Sequence, residues 1–236
     1  MRSIALMTYK GGSGKTTLAA SLAVAAAGTG EKVIALDLDV QGSLTRWARR
    51  RPGNAPHKIA IEPFETARLG RLSATLRRLD DAGFTLAIFD TPGADSEDVR
   101  TVAETADLCL LPARPTVLDV EATVDTFRTA LIHYNAAFVL NQCPPTPRSR
   151  RALDAAHMLS RLGVLAEPMI AARIDYQDAI AAGLGVTEHA EGGRAALEIM
   201  ALWNWIESRV GHPEHEMPVR SGGFKGRLAA IARYFG

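Results

Sequence analysis

Two lysines, three glycines and two threonines are packed into Lys10-Gly11-Gly12-Ser13-Gly14-Lys15-Thr16-Thr17, a grouping suited to holding phosphate. Residues without a Cβ let an anion approach successive backbone N–H groups closely. Gly11, Gly12 and Gly14, with Ser13 among them, occupy a turn between an apolar run and an alanine-rich helical segment. In such a cradle Lys15 reaches the β- and γ-phosphates, the Thr16 hydroxyl completes the coordination of Mg²⁺, and Thr17 contacts the α-phosphate. The usual pattern of glycine, four residues and Gly-Lys-Ser/Thr is broken at Tyr9, where the first glycine would stand, and a second lysine, Lys10, precedes the double glycine.

Phosphate transfer also needs a metal shell and a positioned water, so acids at strand ends are sought next. Asp37 and Asp39 close an apolar run in Asp37-Leu38-Asp39-Val40-Gln41-Gly42, where they could equally cap the turn. Asp90 ends the run Phe84-Thr85-Leu86-Ala87-Ile88-Phe89 and is followed by Thr91-Pro92-Gly93. A carboxylate there reaches the water shell of a metal at the C-terminal edge of a sheet. Asn141 ends another apolar run. Its carboxamide can pair a donor and an acceptor with an adenine edge, or it is a polar turn residue before Pro144-Pro145.

These positions require strands that end together. Short apolar runs alternate with segments of helical period, the pattern of βα units and of an α/β fold with a twisted, mostly parallel sheet and helices on both faces; with the phosphate cradle between the first strand and helix, a P-loop NTPase fold is expected. Strands are expected at about Ile4–Met7, Val33–Asp37, Ile59–Phe64, Leu86–Asp90, Leu108–Pro112, Ala137–Asn141 and Ala166–Ile170. Helices are expected at Thr16–Ala27, closed by a left-handed Gly28, and near Leu69–Asp81, Ser96–Ala106, Val117–His133, Arg150–Leu162 and Gly193–Val210. The 236 residues suffice for one large domain, read as 1–210, followed by a Pro/Gly-containing linker at 211–223 and a possible basic amphipathic helix at 224–236.

Composition narrows the function. The formal net charge is +1, so contact with a polyanion must come from a local patch; arginines do cluster, at Arg46, Arg49, Arg50 and Arg51, at Arg77 and Arg78, and at Arg148, Arg150 and Arg151. No apolar stretch is long enough to span a membrane, and the first motif follows the start too closely for a signal peptide, so a cytoplasmic location is expected. The two cysteines, Cys109 and Cys143, do not form a metal-ligand pair.

With Lys10 before Gly11-Gly12, the motif resembles the deviant Walker A sequence of the ParA/MinD family; Asp37–Gly42 resembles that family's switch I, with Val40 where proline is usual, Asp90 its Walker B carboxylate, and Thr91–Gly93 its switch II. The resemblance runs from Ser3 to about Val210, includes Asp178–Val186, and is closest to small ParA partition proteins. It implies an ATPase, slow without a partner, using ATP and Mg²⁺ and forming a homodimer in the ATP state. Lys10 then reaches the partner copy's phosphates, Asp37 assists the Mg²⁺ shell, Asp39 orients the attacking water and Asn141 meets adenine. The segment Leu111–Asp119 resembles the family's dimer-interface stretch.

Small ParA proteins bind DNA non-specifically through basic residues near the C-terminal helices. By position these are Arg194 and, more weakly, Arg173, either of which could instead be an ordinary solvated arginine. The resemblance thus implies a nucleoid-associated protein that positions DNA or another cargo with a ParB-like or other adaptor. An alternative, using Phe224, Leu228, Ile231 and Phe235 with the neighbouring basic residues, is a MinD-like membrane-positioning ATPase. A metabolic enzyme on the same fold would need a dedicated substrate motif, and none is seen.

Overall fold

A computed structural model describes residues 1–93, 97–146 and 149–210. The expected linker, the tail helix and Arg148 lie outside the described residues. Seven strands form one parallel sheet: β1 (Arg2–Leu6), β2 (Val33–Asp37), β3 (Ala60–Pro63), β4 (Leu86–Asp90), β5 (Leu108–Ala113), β6 (Ala136–Leu140) and β7 (Val164–Leu165), in the order β3-β2-β4-β1-β5-β6-β7. The central strands are mostly apolar and buried on both faces, as in Leu86–Asp90 and Leu108–Ala113, because helices cover both sides of the sheet.

One face packs against α1 (Lys15–Gly28), α2 (Ser43–Ala48), α7 (Ile174–Ala181), α8 (Val186–His189) and α9 (Arg194–Val210). The other packs against a 3₁₀ segment (Thr66–Arg71), α3 (Leu72–Asp81), α4 (Glu97–Thr105), α5 (Val117–Thr126) with a π-helical extension (Phe127–Leu131), and α6 (Arg150–Ser160). Helix α1 is rich in alanine because it is enclosed: Leu18 through Ala26 are all buried, and α8 approaches so closely that a Cβ on Gly185 would lie 2.6 Å from Val24 Cβ.

Several expected boundaries move, each for a local reason. Gly28 stays helical, against His57, and the left-handed residue is Gly30, at φ 102°. Instead of Ala166–Ile170, the last strand is Val164–Leu165, since Pro168 has no N–H to donate; Ala166 N and Ile170 N still bond Phe138 O and Leu140 O. The single helix expected over Val117–His133 changes to π geometry at Phe127. Helices α2, α7 and α8 are too short for periodicity to stand out.

Register places the chemistry. Asp90 is the cross-strand partner of both Leu6 and Asp37, and Ala113 that of Leu140. The loops after β1, β2 and β4 therefore leave the same edge at one level, and β6, whose Ala137 is level with Leu110 and Leu6, runs three residues further before its loop leaves that edge.

Candidate phosphate and nucleotide site

The loop after β1 is wrapped by glycines in conformations that side chains resist: Gly12 at φ 80° and Gly14, preceding α1, at φ 91°. Lys15 is buried, and its Nζ donates to Thr8 O (3.3 Å) and Lys10 O (3.4 Å). Burial lowers its pKa, opposed by the charges of Asp90 and Asp39. Gly93 closes over this lysine: a Cβ there would lie 3.2 Å from Lys15 Nζ and 3.3 Å from Gly11 N. The turn after β4 thus packs on the cradle, held by the Thr91 hydroxyl donating to Leu6 O (2.7 Å). Lys10 is half-buried, with no ion pair among the described residues.

The three acids have different environments. Asp90 is 1% exposed, and neither carboxylate oxygen has a hydrogen-bond partner of good geometry among the described residues. Burial pushes its pKa up to about 7, only partly offset by the adjacent Thr16 hydroxyl and by Lys15, while Asp37 and Asp39 push it further up. Asp37 is engaged: Oδ2 accepts from Thr45 N and Thr45 Oγ1 (2.8 Å each), and Oδ1 from Asp39 N (3.3 Å). It thereby satisfies the first turn of α2, which follows Gly42 and has no side-chain cap of its own. Half-buried Asp39 folds its own turn by accepting from Gln41 N (2.9 Å).

A Mg²⁺ ion fits this donor set. A buried, unpaired carboxylate beside a second carboxylate and a threonine hydroxyl is costly to ionise without a cation. No group of three or more His, Cys, Asp or Glu is placed to hold a metal ion by itself among the described residues. The set therefore suits an ion that takes its remaining oxygens from phosphate and water, and Thr16, Asp37 and Asp90 would be the groups to hold it.

On the opposite flank of the cradle, Asn141 is 5% exposed and donates from Nδ2 to Ser13 O (2.7 Å), while Gln142 Nε2 donates to Gly12 O (3.1 Å). The Ser13 contact fixes which way the Asn141 amide faces, since the flipped amide would set oxygen against oxygen. Beyond these residues opens a cavity of about 580 Å³ lined by Gly14, Thr17, Arg50, Asn141, Arg173 and Tyr176 among others, of a size that takes a nucleoside.

The structure separates the two sequence-predicted basic residues. Arg173 borders this cavity, and its Nε and Nη2 donate to Glu198 Oε1 (3.0 and 2.6 Å). Arg194 is exposed at the start of α9, where a cation opposes the helix dipole, and it has no ion pair among the described residues. Sequence reasoning missed Thr45 and Gln142, which hold Asp37 and the cradle, and the tether of Tyr9, whose N–H donates to Thr126 Oγ1 (3.1 Å) and whose hydroxyl meets Thr129 Oγ1 (3.1 Å). For Gln142 a signal existed, namely its place directly after Asn141.

Comparison with known proteins agrees with this geometry. A family model described as VirC1 protein matches residues 1–187. The chain is 32% identical over 178 residues to protein virC1 of Rhizobium rhizogenes, covering 72% of this chain and 76% of that protein. It is 33% identical over 190 residues to the maintenance of carboxysome distribution protein A of Gloeobacter kilaueensis, covering 79% and 84%. In three dimensions it resembles a Cyanothece McdA variant in complex with ATP, with a TM-score of 0.69 and 17% identity over 89% of this chain and 96% of that one. The chain belongs to the VirC1 family, within the ParA/MinD type of P-loop ATPases.

Proposed function

We propose that this chain is an ATPase that dimerises on ATP, binds DNA non-specifically in that state, and partitions or positions DNA or another intracellular cargo. The observation that carries the catalytic part is Asp90: a buried acid with no hydrogen-bond partner of good geometry among the described residues, in register with Asp37, beside the Thr16 hydroxyl and within electrostatic reach of Lys15. Gly11, Gly12, Ser13, Gly14, Lys15, Thr16 and Thr17 bind the phosphates, and Asn141 borders the base side. Mg²⁺, when bound, supplies charge neutralisation for the phosphates. Asp39, on the turn beside Asp37, orients the attacking water.

Lys10 supports the dimer reading, being a second cradle lysine that no acid of its own chain claims among the described residues. A fitting surface exists at the start of α5, where Val117 and Leu118 are exposed and the turn before them is braced by the ion pair of Arg114 with Asp119 (3.0 Å). ATP binding of this kind is represented by the McdA–ATP complex, and positioning of a cargo by the name of the carboxysome distribution relative. For DNA, Arg194 is the better placed contact, since the Arg173 guanidinium is shared with Glu198.

The test is duplex DNA of arbitrary sequence titrated with protein in ATP, in ADP and without nucleotide. Tight, salt-sensitive binding is expected in ATP alone, abolished by Arg194→Glu with dimerisation intact. Equal binding in all three conditions refutes the DNA part of the reading.

A further inference from the structure

We infer that Gln142 is a positioning residue for the phosphate cradle, aiming a backbone N–H of the P-loop before nucleotide arrives. The inference rests on the reading of Lys10–Thr17 as a phosphate site and adds to it a residue outside the motif.

Three observations on one loop carry it. Gln142 and Asn141 donate to consecutive P-loop carbonyls, Gly12 O and Ser13 O. Among the described residues Gln142 is the only non-glycine with positive φ, at 54°. That conformation is held on both sides, by Asn141 N donating to Ala113 O (2.9 Å) and Cys143 N donating to Ile170 O (2.9 Å). Moreover, a Cβ on Gly14 would lie 2.4 Å from Asn141 Nδ2 and 3.2 Å from Gln142 Nε2, so the two amides fill the space that this glycine leaves open.

The consequence follows from peptide geometry. In a planar trans peptide the C=O of one residue and the N–H of the next point in opposite directions. Holding Gly12 O toward the loop after β6 therefore turns the Ser13 N–H away from it, and holding Ser13 O does the same for the Gly14 N–H. Those donors belong to the turn that binds phosphate, and donors fixed beforehand lose less freedom on binding. A glutamine in the left-handed region is disfavoured by its own backbone, so its presence is explained by what its side chain reaches.

The experiment is ATP and ADP affinity in Mg²⁺, together with thermal midpoints of the nucleotide-free proteins, for native, Gln142→Gly and Gln142→Glu. Glycine removes the amide while accepting the backbone. It should weaken both nucleotides about fivefold, the worth of one ordinary hydrogen bond, with the midpoint unchanged or raised. Glutamate sets an acceptor against Gly12 O and should weaken them more. In hydrolysis assays the glycine variant should raise KM with little change in kcat, as expected for binding the ground and transition states alike. If Gln142→Gly binds both nucleotides within twofold of native, the inference is overturned and the P-loop reading stands. If the native protein binds neither nucleotide, both fall together.

Discussion

The two flanks of the phosphate cradle are built on opposite electrostatic plans. On the flank of β2 and β4, Asp90 is sealed from solvent with both oxygens unbonded among the described residues, and Lys15 has only two long contacts to carbonyls. On the flank of β6 and α7, the buried amide of Asn141, the amide of Gln142 and the guanidinium of Arg173 already have partners within the chain. The first flank carries electrostatic stress that a phosphate and a cation would relieve, whereas the polar groups named on the second are already satisfied within the chain. An orphaned buried charge marks where chemistry is done, and satisfied polar groups mark what holds it in place.

The largest effect should come from relieving that stress at Asp90. Its folded pKa is raised to about 7 from 3.8, so between those values the folded state holds the proton more tightly than the unfolded chain. Stability of the nucleotide-free, Mg²⁺-free protein should therefore fall as pH rises through that window, by at most about 4 kcal/mol from this group. Asp90→Asn removes the titration. Its urea unfolding free energy relative to native should grow by about 2 kcal/mol from pH 5.5 to pH 8, while Mg²⁺-dependent hydrolysis is lost. Parallel pH profiles for the two proteins would show that Asp90 carries no such stress.

The two lysines of the same flank should separate next. Lys15→Ala should weaken ATP and ADP about a hundredfold, as expected for removal of charge-assisted hydrogen bonds to phosphate. Lys10→Ala should leave monomer affinity within a fewfold and abolish ATP-dependent dimerisation, read by light scattering, together with hydrolysis. If both variants merely weaken nucleotide binding alike, Lys10 does not act across a dimer.

A smaller effect tests whether Asp37 belongs to both plans, being a candidate metal group that already serves α2. Thr45→Val deletes the hydroxyl that donates to Asp37 Oδ2 and keeps the backbone donor. Unfolding free energy should drop by about 1 to 2 kcal/mol, since a buried charged acceptor loses one of its partners. No measurable change would mean that Asp37 is oriented by its backbone contacts alone.

The same contrast explains what could be read from the residues and what could not. Strands β2 and β4 end in Asp37 and Asp90, and Asn141 directly follows β6, so all three were legible as edge positions. Most of the sheet followed from the buried runs that precede them. The supports were not legible because they depend on contacts between loops far apart in sequence. Thr45 lies on a six-residue helix that periodicity cannot resolve, Tyr9 is anchored 117 residues away at Thr126, and Glu198 reaches Arg173 from α9. The glycines of Asp178–Val186 illustrate the same limit. Gly183 must admit the Arg50 backbone, 2.4 Å from where its Cβ would be, and Gly185 must admit Val24. The ion pair of Arg51 with the solvent-sealed side chain of Glu188 (2.9 Å) then ties the turn after α2 to α8.

The finest test concerns the two arginines near the C-terminal helices, Arg173 and Arg194. For a DNA-binding protein, removing one cationic side chain that touches a phosphate lowers the slope of log affinity against log salt by about 1. Arg194→Ala, milder than the charge reversal, should reduce that slope by about 1 and lower the affinity for duplex DNA in ATP, because its charge is exposed and unshared. Arg173→Ala should leave the slope unaltered, because that guanidinium is occupied by Glu198 beside the nucleoside cavity. If that cavity takes the nucleoside, the effect should appear instead as a change in ATP affinity of about twofold to threefold, the scale of a partly screened pair. A reduced slope in Arg173→Ala would put Arg173 on the DNA surface and make the β6/α7 flank an active participant rather than a scaffold.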